Sequence, residues 1–426
     1  MPRIVVIGGG WGGCAAALAA KKAGAEVILV EKTDCLLGTG LVGGIMRNNG
    51  RYTAAEEMIA MGGGCLFQLA DRVARHTNVN FPGHEHANLY DVALMEPLVR
   101  RTLLEEGVEV WLMSRACDVE KRDGRLEAIS LGGGELLEAD AFVETTGTAG
   151  PQGNCQKYGN GCAMCVLRCP SWGGRVSIAG RAGVQELMGR RADGSFGAMS
   201  GSCKLHKDSV DPAIAAELNR TGVAVVPIPR DLIHSEKLAA KACQQYALAE
   251  FAENLVLLDT GHVKLMTSFY PLDELRRIPG MENARYEDPY SGGKGNSIRY
   301  LALSPRDDHL KVEGLDNLFC AGEKAGLLVG HTEAICTGTL AGHNAVRHAL
   351  GLPLVTIPRS TAVGEAIAFV REQMQTEEGL TKKYTFSGAV LFAHLRAGNL
   401  YTMDIPAIRG RVAEAGFLGF FEQLPS

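Results

Sequence analysis

"RIVVIGGGWGGCAAALAAKKAGAEVILVEK" (residues 3–32) decides the fold. It reads as an apolar strand, a glycine turn, an alanine-rich helix and a second apolar strand that ends in an acid. Gly8, Gly10 and Gly13 give the spacing G-x-G-x-x-G. In such a unit the first glycine permits the tight turn. The second lets backbone approach a pyrophosphate, and the third lets the helix pack on the strand. The helix opens at the loop, so its unpaired N–H groups and its dipole face the phosphates. Glu31 closes the second strand, where a carboxylate accepts hydrogen bonds from a ribose 2′-OH. The same carboxylate would repel a 2′-phosphate, which leaves NAD or FAD.

Two later segments choose FAD. "RLEAISLGGGELLEADAFVETTGTAG" (125–150) is a hairpin and an apolar strand ending in Thr145-Thr146-Gly147. "GLDNLFCAGEKAGLLVGHTEAICTGTLAGHNAVRHAL" (314–350) is a short strand, a glycine turn and a long helix starting near His331. In flavoproteins of the two-dinucleotide-binding type, a late Gly-Glu meets the ribityl-phosphate part. The helix after it faces the flavin pyrimidine, where negative charge develops on reduction.

"NCQKYGNGCAMCVLRCPSWGG" (154–174) holds four cysteines, spaced Cys155-x6-Cys162-x2-Cys165-x3-Cys169-Pro170. Short gaps let sulfurs converge from one loop, and there is no second run to share them. The spacing therefore points to one [4Fe–4S] centre. Zinc is the main rival, but structural zinc sites usually pair two Cys-x2–4-Cys knuckles, and only Cys162/Cys165 forms one. Plain thiols are the remaining reading. Residues 151–210 hold eight Lys/Arg against three Asp/Glu, a local net of +5, and cations such as Lys157, Arg168 and Arg175 would offset an anionic cluster. A solvated basic face, or a patch for an anionic substrate or RNA, explains the same charge. Cys155 lies eight residues past Gly147, at most about 28 Å of extended chain. A cluster there would lie near the flavin.

The segments "RRIPGMENARY", "NLFCAGEKAGLLVGHTEAICTGTLAGHNAVR" and "IPRSTAVGEAIAFV" resemble the flavoprotein family of glucose-inhibited division protein A and the folate/FAD-dependent tRNA (uracil-5-)methyltransferase. The resemblance covers roughly half the chain and implies non-covalent FAD. By that resemblance Gly8, Gly10, Gly13, Glu31, Gly322, Glu323 and the His331–Thr332 turn would contact it, and Lys32, Val119, Thr146 and Gly147 are further cofactor-binding candidates. The methyltransferases use a cysteine pair on uracil, one of them soon after the first strand–helix–strand unit. The corresponding stretch here, "GLVGGIMRNNG", has no cysteine, so that activity does not carry over directly.

The rest of the chain is less specific. It has 426 residues, 46% apolar and 21% charged, with net charge −5, so nothing overall favours nucleic acid or an anionic membrane. The chain enters its first strand at residue 3, with no leader pattern and no apolar run of membrane-spanning length, which reads as cytoplasmic. Cys203 and His206 are candidate extra ligands or an acid/base pair. His262, Lys264, Tyr270 and His331 are candidate proton donors or anion holders. "PYSGGKGNSIRY" (289–300) is a glycine-rich loop carrying Lys294 and Arg299. The remaining cysteines read as buried apolar groups, with Cys65 the one worth alkylating. "SEKLAAKACQQYALAEFAEN" (235–254) predicts a helix, and "SIRYLALS" a strand.

The expected architecture is α/β: a two-dinucleotide-binding-type FAD fold, with a Rossmann-like parallel sheet and β-meander. An inserted α+β domain and a helical C-terminal tail complete it. Residues 1–151 and 301–358 would form the FAD domain, 152–300 the iron–sulfur and substrate domain, and 359–426 the helical region, which packs on the FAD domain or forms a homodimer contact. The expected function is an FAD- and [4Fe–4S]-dependent oxidoreductase, with His331, Lys264 and His262 as catalytic candidates. It would act on a small-molecule substrate with an electron donor or acceptor. The alternatives are a flavin-dependent tRNA/rRNA base-modifying enzyme, RNA being the less favoured partner, and an electron-transfer subunit serving a partner enzyme.

Overall fold

The computed structural model describes residues 1–148, 172–191, 193–195, 198–199, 202–235, 238, 244–267, 270–287, 298–299 and 302–426. β1 (Arg3–Ile7), α1 (Trp11–Lys22) and β2 (Glu26–Val30) form the opening unit. The chain then leaves the sheet for β3 (Ile45–Met46), α2 (Gly50–Ala60), α3 (Cys65–Arg72), the hairpin β4 (Ala74–Phe81) and β5 (His84–Tyr90), and α4 (Val92–Glu105). β6 (Glu109–Trp111) rejoins it. β7 (Ala116–Arg122), β8 (Arg125–Leu131) and β9 (Leu136–Glu138) make an antiparallel meander before β10 (Ala141–Glu144). The inserted part carries β11 (Leu187–Met188), β12 (Ala198–Met199), β13 (Cys203–Leu205), α5 (Pro212–Thr221), β14 (Val223–Pro227), β15 (Asn254–Asp259), β16 (Val263–Leu265), β17 (Ile298–Arg299) and β18 (Ala302–Leu303). β19 (Leu318–Cys320) and α6 (His331–Ala349) return to the first layer. α7 (Ala362–Gln373), α8 (Ala389–Ala397) and α9 (Ile405–Glu414) form the tail.

The main sheet runs β19-β10-β1-β2-β6, all parallel, with Val5 opposite both Ile28 and Phe142. Parallel strands covered on both faces need continuous apolar runs, and β1, β2 and β10 supply them. α1 and α6 cross with almost no space between them. A Cβ on Gly338 would stand 2.2 Å from the Gly12 carbonyl oxygen, and one on Gly342 2.1 Å from that of Ala16. Glycine on one helix and small residues on the other bring both N-termini to one crevice, at the carboxyl ends of β1, β10 and β19.

The inserted sheet, β13-β16-β15-β14, is antiparallel and has its own core of Leu205, Leu218, Leu257, Val263 and Leu265. A third cluster joins it to the β4–β5 hairpin through Val79, Leu89, Val256 and Leu258. Beside it the fully buried Asp259 accepts from Arg75 at 3.1 Å, His76 at 2.9 Å and Lys207 at 2.8 Å.

Three expectations need correction. Within 235–254 the described residues 244–253 form a 3-10 turn, Gln244–Tyr246, and a four-residue helix, Glu250–Glu253, in place of one long helix. The cause is tertiary: Tyr246, Leu248 and Phe251 each pack into the cluster under β5 and β15. Within "SIRYLALS" the described residues 298–299 and 302–303 are β17 and β18, which pair with β12 and β11 respectively and so belong to two sheets. Cys203 is a core residue of the inserted sheet, while His206 precedes the turn Lys207–Ser209. No group of three or more metal-holding side chains occurs among the described residues. Nor is any helix of the described residues long and apolar enough to cross a membrane.

His343, midway along α6, is buried between Phe420 and Phe421, with ring centroids 5.2 and 5.3 Å away. Neither ring nitrogen has a hydrogen-bond partner among the described residues. Burial, aided by Arg347, pulls its pKa down to about 4. An unsatisfied buried polar group costs about 1–3 kcal/mol, so His343→Leu is expected to stabilise the chain by that order. The folded pKa lies below the unfolded one, so this residue's contribution is intact above about pH 6.5 and lost as pH falls through 4. Denaturant midpoints at pH 7 and 5 should show both the gain and a flatter acid slope in the variant.

Candidate functional site

The glycine loop has the geometry that its spacing requires. Gly8 sits at φ +104°, and a Cβ there would stand 2.6 Å from the Thr145 carbonyl oxygen. A Cβ on Gly13 would stand 1.8 Å from the Gly8 carbonyl oxygen, which is helix-on-strand contact. At Gly10 nothing lies within 4 Å, and this residue caps α1 without a side-chain hydrogen bond. Open space in front of uncapped N–H groups suits a diphosphate. Glu31 Oε2 accepts from Gly9 N at 2.7 Å, while Oε1 accepts from Thr33 N and Oγ1 at 2.9 and 3.0 Å. Glu31 therefore braces the loop. A carboxylate has about four acceptor positions, so capacity toward a ribose remains. Val119 lies in the meander opposite Ile129, and Lys32 Nζ donates to the Gly173 carbonyl at 3.0 Å.

The crevice floor is a buried charge cluster that no spacing announced. Glu144, fully buried at the end of β10, accepts from Ile178 N at 2.9 Å, Ala179 N at 2.8 Å and Thr146 Oγ1 at 2.7 Å. Lys324 Nζ lies 3.6 Å from it and also pairs with Glu186. Arg175 lies 4.0 Å away. Burial works against the charge on Glu144, but Lys324 and Arg175 outweigh it and hold the carboxyl below its usual range. Beside this cluster Gly147 and Gly322 take positive φ, and Glu323 accepts from Thr148 Oγ1 at 2.7 Å.

Cys155, Cys162, Cys165 and Cys169 lie outside the described residues, as do Lys157, Arg168 and Lys294. The residues that flank the cysteine run do not. Thr148 touches Glu323, Arg175 Nη1 donates to Thr146 Oγ1 at 3.2 Å, and Arg115 Nε donates to the Gly174 carbonyl at 3.0 Å. The chain leaves for the run and returns from it at the same crevice.

At the N-terminus of α6 a second group converges on the turn Gly38–Val42 and on Gly43. The His331 ring lies 5.7 Å from Trp11 and 6.4 Å from Tyr90. A Cβ on Gly40 would stand 2.3 Å from Trp11 Nε1, and one on Gly43 2.1 Å from His331 Cε1. On the inserted sheet, Lys264 Nζ donates to the Val42 carbonyl and to Ser202 Oγ, each at 2.6 Å, and Lys204 Nζ to the Leu41 carbonyl at 2.9 Å. The loop is thus clamped between aromatic rings and two amines. Trp11 Nε1, Tyr90 Oη and Thr332 Oγ1 are buried without hydrogen-bond partners among the described residues, and the Trp11 and Tyr90 rings meet edge to face at 6.2 Å.

Two of the three catalytic candidates, His331 and Lys264, thus meet on one loop. His262 is paired with Glu287 instead. Tyr270 accepts on its backbone carbonyl from Tyr286 Oη at 2.5 Å. Trp11, Tyr90, Lys204 and Glu144 were not legible as site residues, because only strand register and loop closure bring them in, and Arg175, read as a cation near the cysteine run, lies beside Glu144. Burial raises the thiol pKa values of Cys14, Cys320 and Cys336, away from thiolate chemistry. Cys65 rises too, for the same reason.

Burial also pulls Lys264 and Lys324 down to about 7. The unfolded chain keeps these protons up to the ordinary lysine value near 10.4. Between those limits it binds more protons than the folded chain, so both groups make stability rise with pH, by up to about 1.4 kcal/mol per unit each. Lys264→Met should flatten the slope of denaturation midpoint against pH from 7 to 9.5. An unchanged slope would show that the amine is charged throughout.

A family model described as glucose inhibited division protein A matches residues 3–247 and 253–353. Among curated proteins, the tRNA uridine 5-carboxymethylaminomethyl modification enzyme MnmG of Thermus thermophilus is 28% identical over 84% of this chain and 66% of its own length. The methylenetetrahydrofolate–tRNA-(uracil-5-)-methyltransferase TrmFO of Synechocystis is 33% identical over 30% of this chain and 25% of its own length. The chain therefore spans just under two thirds of the first relative and a quarter of the second. Among solved structures, Aquifex aeolicus GidA aligns with a TM-score of 0.65 at 17% identity, over 98% of this chain and 74% of that one. At that identity the likeness is one of fold.

Proposed function

The chain belongs to the glucose inhibited division protein A family, and from that premise we propose that it is an FAD-dependent enzyme that modifies a pyrimidine base of an RNA. Relatives named for tRNA uridine and uracil chemistry motivate the substrate class. The observation that carries the reading is the slot at residues 38–43, which opens on the same crevice as the glycine loop. An RNA base must be splayed out and stacked before chemistry can reach it, and that needs ring surfaces with hydrogen-bonding tips. The partly exposed His331 ring is placed for that, with the buried Trp11 and Tyr90 rings behind it. Bound FAD supplies hydride or single-electron transfer at its ring system. The chain holds it by backbone at Gly8, Gly10 and Gly13, by Glu31 at the ribose, and by Thr146, Gly147, Gly322 and Glu323 along the crevice. Lys32 and Val119 flank the nucleotide end, and the His331–Thr332 turn meets the flavin. On the described surface of the inserted part Arg220, Arg277 and Arg285 are each paired to an acid. Nucleoside mass spectrometry of RNA from a deletion strain tests the reading. One modified pyrimidine should disappear and return with the wild-type gene, whereas an unchanged profile would refute it.

A second reading keeps the cysteines in a redox role, with Cys155, Cys162, Cys165 and Cys169 holding a [4Fe–4S] cluster that trades electrons with the flavin. What supports it is the return of the chain to the crevice on both sides of the run, at Thr148 and Gly173–Arg175. In this reading the protein serves a small organic substrate or an electron-transfer partner. Iron and sulfide analysis of anaerobically purified protein decides it: about four of each per chain, with absorption near 400 nm that dithionite bleaches, or flavin bands alone.

A further inference from the structure

The inserted sheet places Lys204 and Lys264 directly opposite each other on β13 and β16, both reaching the same loop. Lys264 is 6% exposed, and its two hydrogen-bond partners, the Val42 carbonyl and Ser202 Oγ, are neutral. Among the described residues no carboxylate lies within ion-pair reach of it. Lys324 makes the contrast. It is fully buried and its amine is drawn down as well, but it packs against the carboxylates of Glu144 and Glu186, which hold it in a structural cluster. A buried amine with neutral partners and a second ammonium nearby is the arrangement that turns lysine into a nucleophile. Burial first, and Lys204 second, draw the Lys264 amine down to about 7.

We propose that Lys264 is a nucleophilic amine that captures an aldehyde or 2-oxo acid as an imine in the slot beneath residues 38–43. The neutral Nζ adds to the carbonyl carbon, and the carbonyl oxygen takes up a proton to give a carbinolamine. The C–O bond then breaks as C=N forms, and the oxygen leaves as water with the two amine hydrogens. No oxidant or reductant enters the step. Ser202 Oγ, 2.6 Å from Nζ, is in range to relay the proton, and the Lys204 ammonium favours a substrate that carries a carboxylate beside its carbonyl. The step needs no RNA, so its outcome stands apart from the base-modification reading.

The test is reductive trapping. The purified chain is incubated with glyoxylate and cyanoborohydride from pH 6 to 9, digested and mapped by mass spectrometry. Carboxymethylation should appear at Lys264 before any other lysine, with a pH midpoint near 7. Propanal, which lacks the carboxylate, should label it more slowly. Lys264→Arg keeps a cationic donor to the Val42 carbonyl but forms no imine, so labelling there should vanish; its buried permanent charge should lower the melt, and cooperative unfolding of the variant shows that the loss of label is not loss of the fold. Lys204→Gln should move the midpoint upward. An unlabelled Lys264 in wild type, labelling no faster than at surface lysines, or a midpoint indifferent to Lys204→Gln would overturn the proposal.

Discussion

Gly10→Glu is expected to abolish FAD binding while leaving the fold intact. The position has φ −67°, which any residue adopts, and nothing lies within 4 Å of a Cβ built there. A carboxylate at a helix N-terminus is favourable to the helix, by about 0.3–1 kcal/mol. It would also occupy the space in front of α1 and place its charge where the diphosphate must come. The ligand would lose the helix N-terminus and meet a like charge, a penalty worth more than about 2.7 kcal/mol, or roughly a hundredfold in affinity. Gly13→Ala provides the converse. Its Cβ would stand 1.8 Å from the Gly8 carbonyl oxygen, so it should damage the fold itself. Thermal melts with flavin fluorescence separate the two: a normal melt without flavin for the first, a lowered melt for the second. A Gly10→Glu protein that retains FAD would refute the site.

Glu144→Ala should cost about 3–5 kcal/mol, because it leaves buried Lys324 and Arg175 with only the partly exposed Glu186 as counter-ion. Lys324 is completely buried and Arg175 nearly so, and both lie within 4.0 Å of the carboxylate. The substitution also strips acceptors from the N–H groups of Ile178 and Ala179. Glu144→Gln, which keeps one acceptor oxygen and the side-chain volume, should cost less. Guanidinium titrations measure both. A loss under about 1 kcal/mol, the range of an exposed ion pair, would mean that water reaches the cluster.

What the chain announces in its sequence is what local chemistry dictates. The spacing of Gly8, Gly10 and Gly13 between two apolar strands is a local pattern, and the structure gives each glycine its own steric reason. Gly322-Glu323 and the helix from His331 were legible for the same reason. What long-range pairing creates was not. Lys204 faces Lys264 only because β13 and β16 pair in that register, across sixty residues of chain. Glu144 reads as the polar end of a strand until Lys324 and Arg175 arrive from distant segments. The residues from Ile45 to Tyr90 were placed within the FAD domain, but their separate β3-β5-β4 sheet with two helices was not legible. Within the helix expected over 235–254, the described residues 244–253 do not form one helix, because their apolar side chains serve packing against β5 and β15. Glu31 was legible as an acid beside the loop, but not as the brace of Gly9 and Thr33.

The most direct test is FAD titration of the purified chain, followed by flavin fluorescence and visible absorption. One FAD per chain is expected, with quenched emission from the rings of Trp11, Tyr90 and His331 near its site, and no binding in Gly10→Glu. A chain that unfolds cooperatively yet leaves FAD unquenched and unshifted at every concentration would contradict the account.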